Sequence, residues 1–188
     1  MPALEYTQRW PERVDRLVLS NAQVSVHTWQ AGNIDAVNAA LRRHFPERWR
    51  ALLALRERGI RSLADEYQEL FEDVLERLEW TDPERRPQLT RDDFNAPNPD
   101  VYAALVGDDP EWEVTGTMAG FDPDLSRISA PTLVVSGRWD QLTSPAIADA
   151  TAAALPDARL HVFERSAHRP WAEQPEEYFT LVRGFLAG

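Results

Sequence analysis

The chain has 188 residues, no cysteine, seven tryptophans and a formal net charge of −11. A pI near 4.8 argues against a nucleic-acid backbone as partner, and the lack of cysteine removes disulfides and thiolate chemistry. No run of about 18 apolar residues occurs, so no membrane span is expected; the length suits one domain, or a domain with a lid, burying roughly 70% of its unfolded surface.

The opening residues lack the basic and apolar regions of a secretion signal, and a cytoplasmic location is expected. Residues 3–9 read as a helix, with Leu4, Tyr6 and Trp10 as candidates for burial, and Pro11 closes it. Residues 14–20 read as the first strand, with Leu17 to Leu19 as its buried run, ending in Asn21. From about Val24 to Val114 the pattern turns helical. Asp35 is expected to cap a helix running to about Phe45, and residues 47–58 make a second, with Gly59 suited to the position after its end. Ser62 with Asp65 resembles a capping box opening a third. In that third helix Leu63, Tyr67, Leu70, Phe71, Val74, Leu75 and Leu78 recur at helical spacing. Its opposite face carries Glu66, Glu69, Glu72, Asp73 and Glu76 and reads as solvated surface. Residues 81–100, with Pro83, Pro87, Pro97 and Pro99, read as a long irregular connection, and residues 101–106 as a short helix.

The chain then returns to strands. Leu133, Val134 and Val135 make a short buried strand that Gly137 ends. Ser144 and Pro145 open a helix that Pro156 stops. Residues 158–164 make another strand. Gln174 and Pro175 open the last helix, with Tyr178, Val182 and Phe185 as its buried stripe. Strand, helix, strand implies parallel neighbours joined by a crossover, with strand ends at one edge. Ligand sites of open α/β sheets lie at that edge. Asp140 follows the first of these strands and His168 the second, so the two are expected to meet. An acid that orients an imidazole is two members of a nucleophilic triad. Either residue alone reads equally as an ordinary loop residue; the joint placement is the signal, and His27, His44 and His161 lack it. No histidine cluster for a metal and no carboxylate pair for glycoside chemistry stands out. No cofactor is expected.

These residues carry a resemblance. Ala130-Pro-Thr-Leu-Val-Val-Ser-Gly-Arg-Trp-Asp140, Leu155-Pro-Asp-Ala-Arg-Leu160, Ser166-Ala-His168 and Glu173-Gln-Pro-Glu176 resemble the C-terminal part of an α/β-hydrolase. The opening segment from Leu4 to Asn21 resembles the helix and strand that follow the nucleophile elbow. Asn98-Pro-Asp-Val-Tyr102, Gly107, Glu111-Trp112 and Val114-Thr-Gly-Thr117 resemble the lid of proline iminopeptidases. The resemblance implies a C-terminal portion of an α/β-hydrolase parallel sheet with an inserted helical lid: a core of residues 1–23 and 121–188, and a lid of residues 24–120. It implies Asp140 as triad acid, His168 as general base, and a small peptide or an amide or ester as substrate. Glu111 matches the lid glutamate that would hold a substrate amine; it reads equally as a surface glutamate. Trp139 and Trp112 suit the walls of a proline pocket, or ordinary core packing. Gln141 departs from the family, which often has a second acid there, and offers an ammonium group a hydrogen bond without charge attraction.

The family's nucleophile sits in a G-x-S-x-G elbow. None of Ser20, Ser25, Ser62, Ser126, Ser129, Ser136, Ser144 and Ser166 has that setting, and by the resemblance the elbow and the oxyanion donors fall before Met1. A truncated, inactive hydrolase is therefore expected. Three arrangements follow: a fragment of a longer hydrolase, a chain that pairs with a separate N-terminal half, or a non-catalytic module that self-associates through an exposed sheet edge. Esterase, amidase and epoxide hydrolase chemistry share the scaffold and stay open.

Overall fold

The computed structural model describes residues 2–71, 74–82 and 98–188. Its framework is a three-stranded parallel sheet in the order β1-β2-β3, formed by β1 (Leu17–Ser20), β2 (Thr132–Gly137) and β3 (Ala158–Phe163). Leu17 pairs with Thr132 and Thr132 with Ala158, and the register runs unbroken to Gly137 and Phe163. The central strand is buried at every residue, as a parallel strand covered on both faces should be. Alternation along the strands sorts the apolar side chains to two faces. Leu17, Leu19 and Val134 pack with Leu4 of α1 (Pro2–Arg9) and with Ala148 and Leu155 at the crossover helix. Val18, Leu133, Val135 and Phe163 pack with Tyr178, Leu181, Val182 and Phe185 of the C-terminal helix. The sheet is thus the middle of three layers.

The first helix departs from expectation on one point. Leu4 is fully buried, but Tyr6 and Trp10 are 42% and 38% exposed and pack on each other, ring centroids 4.9 Å apart. Thr7 takes the buried position instead, its hydroxyl donating to the Ala3 carbonyl.

Between β1 and β2 lies a helical block with its own core. It comprises α2 (Val26–Trp29), a π-helical segment Gln30–Ala36, α3 (Val37–His44), α4 (Pro46–Glu57), α5 (Asp65–Phe71), α6 (Val74–Glu79) and α7 (Pro99–Val106). Asp35 does not cap this run; the start is at Ser25, whose hydroxyl accepts from Thr28 N while Thr28 Oγ1 accepts from Ser25 N. That reciprocal pair satisfies two orphan donors and places Asp35 inside the π segment. Gly59 has φ +81° after α4, the left-handed stop expected of glycine. Ser62 is no capping box either: α5 begins at Asp65, and buried Ser62 donates its backbone N–H to Asp109. Val37, Leu41, Leu52, Tyr67, Phe71, Val74 and Leu78 form the block's core. Glu66 and Glu69 are exposed; Glu72, Asp73 and most of the proline-bearing connection, residues 83–97, lie outside the described residues.

After β2, α8 (Pro145–Ala154) leads to β3, followed by α9 (Pro170–Glu173) and α10 (Pro175–Ala187). Ser144 holds the N-cap position of α8, without a side-chain cap bond. Among the described residues no helix is long and apolar enough to cross a membrane.

Candidate active site

The C-terminal ends of β2 and β3 open into two loops that touch. Trp139 N donates to the Ser166 carbonyl at 3.0 Å, and Arg138 N to the Phe163 carbonyl at 2.9 Å. Gly137 makes the contact sterically feasible: a Cβ there would lie 1.9 Å from the Ala167 carbonyl oxygen, far inside van der Waals contact. This close approach brings Asp140 and His168 together. His168 Nδ1 lies 2.9 Å from Asp140 Oδ2.

The Asp140 side chain is fully buried and accepts from four groups. Oδ1 takes the backbone N–H groups of Leu142 and Thr143, at 2.8 and 2.9 Å. Oδ2 takes the Asn21 amide at 2.7 Å besides His168. Two carboxylate oxygens offer about four lone-pair sites, so this carboxylate is saturated. Because an ionised carboxylate only accepts, Nδ1 of His168 is the donor, and the lone pair of the neutral ring sits on Nε2.

Asn21 comes from the end of β1. Its φ of +46° is the left-handed conformation that asparagine tolerates better than most residues. Its N–H continues the ladder onto the Val135 carbonyl, its carbonyl accepts from Thr143 Oγ1, and its amide reaches Asp140. Each of the three strands therefore sends one residue to this edge. The acid loop is also tied to the helical block. Leu142 is buried in the block's core, and its carbonyl lies where a Cβ on Gly32 of the π segment would be, 1.9 Å away.

Trp139 stands beside the pair, 62% exposed, its indole N–H donating to the Glu164 carbonyl. It lines an open cleft of about 560 Å³ with Arg138, Asp140 and Gln141 on one side and Arg77, Trp80 and Thr81 on the other. Glu111 and Trp112 lie elsewhere, in the helical block. Trp112 stacks on Trp49 at 5.5 Å, donates to Tyr67 Oη at 2.5 Å and lies under the Arg56 guanidinium at 4.0 Å. Glu111 Oε1 has Gln68 at 3.5 Å, and its buried Oε2 has no hydrogen-bond partner among the described residues. Burial accordingly pushes the Glu111 carboxyl up from its ordinary range, against the opposing pull of nearby Ser62 and Gln68. Burial also raises the Tyr67 hydroxyl to about 12 and the Tyr102 hydroxyl further, with Glu111 adding to both. Neighbouring Asp109 behaves oppositely. Burial would raise it, but Arg56 at 2.7 and 2.8 Å and the Ser62 N–H overcome that and hold it below the ordinary value.

Sequence reasoning left Thr143, Glu79, Arg169 and Glu173 without roles. Thr143 had a usable signal, since an aspartate three residues ahead commonly binds backbone N–H groups in such turns. The contacts of Glu79 and Glu173 depend on distant loops meeting, which no local pattern encodes.

Parallel strands, flanking helices, an inserted helical block and an acid–histidine pair at the carboxyl edge define an α/β-hydrolase fold. Comparisons agree: the chain aligns with the structure of a proline iminopeptidase from Mycobacterium smegmatis at a TM-score of 0.71 and 24% identity, covering 98% of this chain and 60% of that one. It aligns with the structure of VinJ at 0.72 and 25%, covering 98% and 61%. A family model described as serine aminopeptidase, S33, matches residues 1–175, so the chain belongs to that family, and it is proline iminopeptidase-like. The proline iminopeptidase of Heyndrickxia coagulans is 37% identical over 91 residues, 47% of this chain and 31% of that protein. That of Clostridium botulinum is 25% identical over 196 residues, 99% and 62% respectively. The chain thus spans between about a third and three-fifths of these relatives' lengths.

Proposed function

We propose that this chain supplies the acid, the general base and the lid of a serine hydrolase that releases N-terminal proline, or a similar residue, from small peptides. The observation that carries the reading is the 2.9 Å contact between His168 Nδ1 and a saturated, buried Asp140. His168 Nε2 takes the proton of an attacking hydroxyl and returns it to the leaving amine, while Asp140 holds the ring and steadies the imidazolium. Residues 24–120 act as the lid and Trp139 lines the approach. Glu111 is the group for a substrate ammonium by its match to the lid glutamate of the family.

No serine among the 188 residues lies in a G-x-S-x-G setting, so on this reading these residues alone do not hydrolyse peptides; removing both nucleophile and oxyanion donors costs many orders of magnitude. The test is complementation. The chain is co-expressed with an N-terminal α/β-hydrolase segment carrying such an elbow, and proline arylamide hydrolysis is measured. Activity that vanishes in His168→Ala and Asp140→Ala is expected. Hydrolysis by the 188 residues alone, or restored activity indifferent to His168→Ala, overturns the proposal. Gln141 favours a second substrate class, since a neutral amide beside the acid places no charge against an ester; a preference for aryl esters over proline arylamides in the same assay selects it.

A further inference from the structure

The histidine loop is held from outside at three successive residues. Ala167 N donates to Glu173 Oε2 at 2.6 Å. His168 N donates to the Glu79 carbonyl at 3.0 Å. Arg169 donates to the Glu79 carboxylate, with Nε at 3.0 Å, and its guanidinium lies 5.5 Å from the Trp80 ring centre. Glu173 also reaches back to the helical block: its Oε1 accepts from Thr81 N at 2.8 Å and Thr81 Oγ1 at 2.6 Å. The two acids are reciprocal. Glu79, at the end of α6, holds the histidine loop; Glu173, at the end of α9, holds the residues just after α6.

We propose that Glu79 and Glu173 are positioning residues for His168, a double clamp through which the end of the helical block fixes the backbone that aims the imidazole at Asp140. Neither carboxylate touches the ring. The Glu173 carboxylate takes the Ala167 N–H and the Glu79 carboxylate the Arg169 side chain, while the Glu79 backbone carbonyl takes the His168 N–H; a buried N–H must find an acceptor somewhere. Displacing a base by about 1 Å is enough to cost roughly a hundredfold in rate, so a loop carrying the base needs such support. The clamp also makes the lid a sensor: whatever shifts residues 79–81 shifts His168. This inference rests on the reading of His168 as the base.

The test uses Glu173→Gln and Thr81→Val in the full 188-residue chain, with amide hydrogen exchange and the His168 Nδ1–H proton resonance as readouts. Glutamine keeps the shape but offers one acceptor oxygen to donors on two sides and turns N–H groups toward one of them. In Glu173→Gln, exchange at Ala167 and Thr81 should accelerate about ten- to a hundredfold, and the imidazole proton should shift or broaden. Thr81→Val should move the same signals less, and Thr81→Ser should restore them. Faster exchange in Glu173→Gln with an unmoved imidazole proton would reduce the clamp to a structural staple and overturn the proposal. Should Glu173→Gln fail to fold, the valine and serine variants decide alone: identical imidazole signals in both overturn it. None of these readouts needs hydrolysis, so failure of the clamp is distinguishable from failure of His168 as base, which appears only in the complementation assay.

Discussion

Two acids, one buried at the sheet edge and one half-buried in the helical block, are treated in opposite ways. At the sheet edge Asp140 accepts from Asn21, Leu142, Thr143 and His168. In the helical block Glu111 has a distant Gln68 amide, the Ser62 hydroxyl nearby and a buried Oε2 that makes no hydrogen bond among the described residues. A buried carboxylate with full coordination is fixed in place; one left short is energetically exposed to whatever donor arrives. The sheet edge is a finished piece of geometry, and the block carries an unfinished one.

The sharpest way to break this contrast is Asp140→Ala. It strips acceptors from a histidine, an asparagine and two backbone N–H groups at once, and should cost about 3–5 kcal/mol, read as a lower urea midpoint. A loss under about 1 kcal/mol would show that the four bonds do not hold the edge together. Next is Arg56→Met in the block. It leaves Asp109 buried with the Ser62 N–H and, at 4.0 Å, Arg61, and should cost about 2–3 kcal/mol near neutral pH. The lowered Asp109 carboxyl fixes the sign of the pH dependence. Its contribution is present above the ordinary aspartate value and disappears as pH falls through its depressed native value. The gap between wild type and Arg56→Met should therefore close in acid.

Glu111→Gln should act the other way and raise the melting temperature at neutral pH. A raised carboxyl means that the native state binds a proton which the unfolded state has already released, so stability falls as pH rises between the ordinary glutamate value and the raised one. The variant's advantage should shrink on acidification through that window; a constant advantage would show that ionisation is not its source. Trp139→Ala should be mildest, within about 0.5 kcal/mol in stability, because the ring is mostly in solvent. In the complemented enzyme its effect should fall on KM more than kcat if the cleft it lines admits substrate.

Much of the sheet edge was legible in the sequence because it follows from strand order. Apolar runs at Leu17, Leu133 and Leu160 with a crossover between the last two place Asp140 and His168 at one edge before any coordinates exist. Asn21, which ends the first of these runs, reaches the same edge. The block was less legible. Asp35 and Ser62 are good capping residues by type, yet Ser25 with Thr28 wins the first cap, and the buried Arg56–Asp109 pair claims Ser62 for itself. Tyr6 and Trp10 repeat at helical spacing but lie on the open side of α1. Periodicity marks a stripe, not which stripe faces inward. The clamp around His168 was hidden, since Glu79 and Glu173 become neighbours only through the tertiary fold.

Leu142 ties these regions into a single mechanical unit. Its N–H grips the acid, while its side chain is embedded among the leucines of the inserted helices. Opening those helices as a body would drag this leucine out of its socket or pull the aspartate off its histidine. Any motion that admits a ligand must then be confined to the outer helices, and the innermost turn should exchange its amides in step with the strands rather than with the rest of the insertion.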